Sequence, residues 1–433
     1  MAPRRSARSK VLMAGRPSPA LLLALLWLAS LNLRTASIGV SPVLPLIRAD
    51  LDISYAEAGL LFALPVLLMG LGAAPGSRVA DRLGSWSAIA LGLLLLVLGV
   101  GLRAVAPNYV VMLALTVVFS TGIGLAQPSL PRLVRQWFPR DRASATGVYT
   151  AGLGCGAILA AATTGPLLVW LGPLSWRGTC LVWAALAAVG LAIWLALGPR
   201  RAPSAAPVLG GAAAGEGGGT SAGASPQPRA ARSADRGPEP PVWRDRTAWL
   251  ITLVFLGQGI IFYEANGWVP TYYQELGVPV EAAGLPLAVF NLVQLPMALI
   301  VPILSDRLRV RRPFLLFDTL VVLVGLVGLI LVPLQPLWLW TLLMGVGLGG
   351  LFPIALSLPI DLQNARRAAA VVSLELTVGY AAILPSLLLM GALRDALGSF
   401  TVAWTTSLAC GLVLLVIVLL LPETGRGLAD RPR

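Results

Sequence analysis

Unbroken apolar stretches of about twenty residues recur along the whole chain, separated by short segments rich in arginine, glycine and proline. They are continuous rather than alternating. That pattern predicts helices, which satisfy their backbone polar groups internally as lipid requires, and not the alternating strands of a β-barrel. Hydropathy and breaker residues place twelve spans near 19–40, 57–77, 86–106, 109–130, 144–170, 177–198, 248–270, 283–303, 313–334, 337–360, 368–392 and 401–421. The first apolar stretch continues to Val40 without a small-residue cleavage site, so it is expected to stay as a helix and not to be removed as a signal peptide.

Residues 200–246 interrupt the series with an Ala/Gly/Pro/Ser-rich segment that cannot bury enough apolar surface to fold. The expected organisation is a cytoplasmic N-tail (1–18), a six-helix bundle (19–199), a disordered cytoplasmic linker (200–246), a second six-helix bundle (247–422) and a cytoplasmic C-tail (423–433). An offset of 225 residues aligns Ala80-Asp81-Arg82-Leu83 with Ser305-Asp306-Arg307-Leu308. The same offset aligns Ala58-Gly59-Leu60 with Ala283-Gly284-Leu285, and Arg142-Ala143-Ser144-Ala145 with Arg367-Ala368-Ala369-Ala370. Two halves of six spans each have the same orientation, so they are parallel repeats about a pseudo-twofold axis normal to the membrane.

Composition agrees with this picture. Of 433 residues, 57% are hydrophobic and 12% charged, and mean hydropathy is +0.82. Ordinary soluble domains carry about twice that share of charge. With the N-terminus inside, 27 of the 32 Lys/Arg fall in inner segments, four in outer ones (Arg48, Arg103, Arg177, Arg394), and Arg34 lies within a span. The positive-inside rule therefore puts both termini in the cytoplasm, at the plasma membrane. The net charge of +13 comes from these loops. They lack the aromatic interleaving of a nucleic-acid surface, so no nucleic acid is expected.

The inventory excludes several chemistries. There is no histidine, so no Ser-His-Asp triad or His-zinc site can form, and the single lysine, Lys10, lies in the tail, away from any phosphate loop. Cys155, Cys180 and Cys410 fall inside spans and read as packing residues. No enzyme, metal or cofactor is expected.

The segment Gly76-Ser-Arg-Val-Ala-Asp81-Arg82-Leu-Gly84 resembles the Gly-x-x-x-Asp-Arg-x-Gly loop of the major facilitator superfamily, without the basic pair that usually follows. More narrowly, Asn32-Leu33-Arg34, Phe138-Pro139 with Thr146–Thr150, Tyr263 with Trp268-Val269-Pro270, and Gly345–Pro353 ending in Asp361 are similar to the cyanate and 2-nitroimidazole permease branch. The resemblance implies a secondary active transporter whose two bundles rock about a central site. It implies a small solute, cyanate-like or another organic anion. A proton-driven exporter of a drug-like or nitroaromatic compound is the second reading, and a transporter-like membrane sensor is the alternative from another class. The expected partners are the bilayer, the solute and protons, with the chain acting as a monomer.

Arg34 is the first candidate site residue. At ~1.5 Å per residue it lies just past the bilayer middle, where a charge costs about 2.5–3.5 kcal/mol. Its planar fork suits a carboxylate, cyanate or nitro group; the competing reading is a structural pair with Glu264. Glu264 and Glu375 are candidates for proton coupling, or for packing alone. Asn32, Gln127, Tyr263, Asn266, Trp268, Asn291 and Gln294 complete the expected substrate-binding set, and Asn266-Gly267 is expected to break its helix. Gly76, Asp81, Arg82, Gly84, Asp306 and Arg307 form the expected gating loops, with Asp81 pairing across the cytoplasmic gate in one conformation. Asp318 is expected to pair with Arg311 or Arg312. The small residues of the fifth span predict close helix approach.

Overall fold

The computed structural model describes residues 18–172, 175–198, 241–363 and 365–422. The N-tail through residue 17, linker residues 200–240 and the C-tail 423–433 lie outside the described residues. The described residues form twelve long helices and no strand. The first bundle holds α1 (Pro19–Ile38), α2 (Tyr55–Leu83), α3 (Ser85–Arg103), α4 (Tyr109–Ala126), α5 (Arg142–Leu171) and α6 (Ser175–Leu197). The second holds α7 (Arg246–Glu275), α8 (Leu285–Leu308), α9 (Arg312–Leu331), α10 (Leu339–Leu362), α11 (Ala365–Leu397) and α12 (Phe400–Leu420). All twelve are long and apolar enough to span a bilayer. Residues 241–246, assigned to the linker from sequence, instead form a 3-10 turn at Val242–Arg244 and the start of α7.

Local chemistry fixes the helix starts. Ser18 caps α1, Asn108 caps α4 and Asp245 caps α7, each side chain accepting from a first-turn N–H. Ser54 and Glu57 form a reciprocal capping box at α2. Between α2 and α3 the chain turns at Gly84 with φ 84°, a conformation that only glycine adopts without strain. The break expected at Asn266-Gly267 is absent. Asn266 donates through Nδ2 to the Phe262 carbonyl one turn back (2.9 Å), and α7 runs unbroken through it.

The two faces of the bundle differ as lipid demands. Leu94 and Leu98 on α3, Leu181 and Val189 on α6, Val324 on α9 and Val413 and Val416 on α12 are exposed and would meet acyl chains. Between the bundles, α2 packs along α11 and α8 along α5, two contacts that the 225-residue repeat makes equivalent. Ion pairs at the end opposite the termini repeat as well: Asp50 with Arg177 at 2.7 Å, and Glu275, 225 residues on, with Arg394 at 2.6 Å.

Hydrogen bonds between the bundles, among the described residues, all lie at the end opposite the chain termini. Ser41 Oγ donates to the Gly267 carbonyl (2.9 Å) and Gln274 Nε2 to that of Pro42 (2.8 Å). The Asp395 carboxylate at the end of α11 accepts from the Tyr55 and Ala56 N–H groups that open α2, at 3.1 and 2.9 Å. Trp268 plugs the same end against Tyr55, Phe62 and Phe400. At the terminal end α5 is exposed on nearly every side, and a Cβ on Gly147 would meet nothing. The far end is sealed and the terminal end is parted.

Close approach of α1 and α5 holds the first bundle together, as the small residues predict. A Cβ on Gly152 would lie 2.5 Å from the Trp27 carbonyl oxygen, and one on Gly156 would strike that of Leu31 and press on Arg34. Gly156→Leu is expected to destabilise the purified protein by about 1–3 kcal/mol. Gly147→Ala, in open space within the same helix, is expected to be neutral or stabilising by up to ~1 kcal/mol. Thermal unfolding in detergent checks both, and equal effects would remove the glycine contact from the account.

Candidate solute site

Eight helices enclose a cavity of about 240 Å³ midway along the bundle. Arg34 reaches it from α1, Met69 from α2, Gln127 from the C-terminal cap of α4 and Thr150 from α5. The second bundle contributes Gln258, Phe262 and Tyr263 from α7, Asn291 and Gln294 from α8, Phe352 from α10 and Tyr380 from α11. The remaining four, α3, α6, α9 and α12, stay outside.

Arg34 is the only charged side chain on the wall among the described residues. Half-buried, it makes no ion pair or hydrogen bond with them. Its Cζ lies 5.3 Å from the centre of the Phe262 ring and 6.0 Å from that of Tyr263, so aromatic faces take the place of a counterion. A second hollow of about 30 Å³ lies beyond it, lined by Arg34, Tyr263 and Asn266 among others. Asn291, on the main cavity, donates to Asn266 Oδ1 at 3.1 Å and links the two spaces.

The competing reading, a structural Arg34–Glu264 pair, does not form. Glu264 is 3% exposed and accepts from Ser407 Oγ of α12 at 2.6 Å, on the side of α7 turned away from the cavity. Glu375 is fully buried, and neither carboxyl oxygen has a hydrogen-bond partner among the described residues; it does not line the cavity. Two expected binding residues face elsewhere. Asn32 is buried, donates to the Leu28 carbonyl and faces Gly190 of α6, and Trp268 belongs to the far-end plug. Asn266 reaches only the small hollow. Gln127, Tyr263, Asn291 and Gln294 line the main cavity.

The gating acids pair within their own bundles. In this form, parted at the terminal end, Asp81 receives Arg132 Nη1 at 2.6 Å, and Gly76 packs on the Gly124 backbone of α4. Asp306 and Asp361 both engage Arg311, at 2.5 and 2.9 Å. Burial works against that guanidinium's charge, but the two carboxylates outweigh it and push the pKa of Arg311 up from its ordinary value. Arg82 and Arg307 are exposed at the loop edges. Asp318 pairs with neither neighbouring arginine. Arg312 donates to the Leu419 carbonyl, and Asp318 is buried against Gly347 and Gly350 of α10.

Sequence reasoning missed Gln258, Thr150, Tyr380 and the rings of Phe255, Phe262 and Phe352. Gln258 carried a usable signal: a carboxamide inside a span, with Phe255, Gly259 and Phe262 at helical spacing on one face. The phenylalanines carried none, since any apolar span contains such rings.

A membrane-buried cavity between two pseudo-equivalent six-helix bundles, open toward one end and sealed at the other, is the architecture of a multi-pass membrane transporter. The chain belongs to the Major Facilitator Superfamily, whose family profile matches residues 26–387. It is 29% identical over 403 residues to the cyanate transport protein CynX of Escherichia coli (strain K12), covering 92% of this chain and 96% of that one. To the 2-nitroimidazole transporter of the same organism it is 28% identical over 401 residues, covering 90% and 92%. Among solved structures, a bacterial homolog of the human lysosomal transporter Spinster, inward-facing and unoccupied, superposes with a TM-score of 0.70 at 18% identity. That match covers 93% of this chain and 96% of the other. A D-xylose–proton symporter gives 0.69 at 14%, covering 94% and 99%. These two likenesses concern the fold.

Proposed function

We propose that this protein is a secondary transporter that carries a small anionic solute across the plasma membrane by alternating access, with both termini cytoplasmic. In that orientation the parted end faces the cytoplasm and the structure is inward-facing. The observation that carries the reading is Arg34: a permanently charged group on the wall of a central cavity, with neither a counterion nor a lining carboxylate among the described residues. A charge left so is costly unless something else completes it, and an anionic solute does so with charge-assisted hydrogen bonds. The names of the cyanate and 2-nitroimidazole relatives support a small solute with a compact electron-rich head. The aromatic wall favours the second reading, a drug-like compound moved outward, but a neutral solute would leave Arg34 unanswered.

The chain works as a monomer in this reading, since a single cavity is complete within it. Coupling to protons falls to Glu264 or Glu375, and neither touches the solute. Proton exchange there acts through packing, of α7 on α12 for Glu264 and of α11 on its neighbours for Glu375. The test is thermal stabilisation of purified protein by monovalent anions compared with their neutral amides. Anions are expected to stabilise and amides not. Glu264→Gln is expected to keep the anion response within about twofold, because its carboxyl faces Ser407. Stabilisation by amides as strong as by anions contradicts the reading.

A further inference from the structure

We infer that the solute is a ring-sized monoanion that carries a hydrogen-bond donor, a hydroxyl or N–H, at the end away from its charged head. The inference rests on the anion reading above and goes further, because it specifies the size, charge and second polar group of the solute.

Charge comes first. With Arg34 as the only ion on the wall among the described residues, a monoanion leaves the occupied cavity neutral. A dianion would carry an unpaired charge into a low-dielectric space.

Size comes next. The cavity holds about 240 Å³, whereas one water needs ~10–15 Å³. A triatomic anion would leave most of this volume to water. Phe255, tilted against Phe352 at 6.1 Å and edge-on to Tyr380 at 6.2 Å, forms one aromatic wall. Phe262 beside Arg34 forms another, seven residues and so ~10 Å further along α7. A flat ring with a substituent at each end spans that distance.

The carboxamides supply the third element. Gln258 Nε2 donates to the Phe255 carbonyl (3.1 Å) and Gln294 Nε2 to that of Phe290 (3.1 Å). Asn291 Nδ2 donates both to the Leu287 carbonyl (3.0 Å) and to Asn266 Oδ1 (3.1 Å). These bonds orient the amides, because only the nitrogen end can donate to a carbonyl. The side-chain carbonyl oxygens of these three cavity-lining residues accept from no donor among the described residues. Arg34 thus presents donors from the first bundle, and these oxygens present acceptors from α7 and α8 in the second, beside the hydroxyls of Tyr263 and Tyr380, which can accept as well as donate. A solute that answers both has a carboxylate-like head and a distal O–H or N–H, and it bridges the bundles as it binds.

Isothermal titration of the purified full-length protein with benzoate, 4-hydroxybenzoate, benzamide and cyanate tests this. The hydroxylated anion is expected to bind roughly three- to tenfold tighter than benzoate, and cyanate at least about tenfold weaker than benzoate. Gln258→Leu, Asn291→Leu and Gln294→Leu are each expected to lower the 4-hydroxybenzoate-to-benzoate affinity ratio toward one. Benzoate binding as well as its hydroxylated form, cyanate matching the rings, or a ratio unmoved in all three variants overturns the inference and leaves the anion reading standing. Benzamide binding as tightly as benzoate overturns the anion reading itself.

Discussion

Arg34→Gln is expected to weaken binding of monovalent anions roughly 100-fold, about 3 kcal/mol, while the protein stays folded. Removing one member of a desolvated, hydrogen-bonded charge pair costs 2–5 kcal/mol or more, and the largest part arises because the other charge loses its partner. Here that other charge is the solute. The protein itself loses little. Arg34 holds no ion pair or hydrogen bond with the described residues, only the faces of Phe262 and Tyr263 at 5.3 and 6.0 Å. Glutamine keeps a polar group at the wall without a charge to bury, so the melting temperature without ligand is expected to move by no more than a few degrees. Arg34→Lys keeps the charge and loses the planar fork, and is expected to fall between, about tenfold weaker than wild type. Calorimetric titration of the three proteins with benzoate checks the order. Equal affinities would show that the guanidinium does not meet the solute.

The second large effect belongs to the sealed end. Asp395 reaches across from α11 to the free N–H groups of Tyr55 and Ala56, where the α2 helix dipole adds to the attraction. Ser54 already serves the N–H of Glu57, so the first turn of α2 is satisfied half by its own bundle and half by the other. Opening the far end must break the Asp395 contacts, whereas the capping box opens with its own bundle and survives. Losing such a cap costs 0.5–2 kcal/mol. Asp395→Ala is therefore expected to shift the balance about tenfold toward the form open at the far end. Spin labels at Val105 and Glu281, on opposite bundles at that end, would report it by pulsed electron resonance as a growing long-distance population. An unchanged distance distribution would remove Asp395 from the seal.

Much of the fold could be read in the chain because its signals are local. Twenty apolar residues, a capping serine and a cluster of inner arginines each act within a few turns. The repeat at 225 residues then pairs α2 with α8 and α5 with α11 without any knowledge of contacts. Arg34 stood out for the same reason, since a charge in a span is conspicuous whatever it faces. What sequence alone did not supply was the rotation of each helix. Asn32 lies two residues from Arg34 and so ~200° around α1, which turns it to Gly190 and away from the cavity. Glu264 is six residues past Gln258, ~240° around α7 from the cavity face, and meets Ser407 instead. The acids and amides of a membrane helix look alike in sequence. Helical phase divides them into those that line the cavity and those that join helices, and phase could have been applied to α7 once Arg34 had marked the interior.

Counterflow in reconstituted vesicles bears most directly on the claim that Arg34 receives the solute during passage between the bundles. Vesicles preloaded with unlabelled benzoate and diluted into a trace of labelled benzoate should show transient accumulation of label with the wild-type protein. They should show none above empty vesicles with Arg34→Gln. Accumulation of equal height and rate with both proteins would contradict the account, and absence of counterflow in the wild type for every anion that stabilises it would point to a sensor and not a carrier.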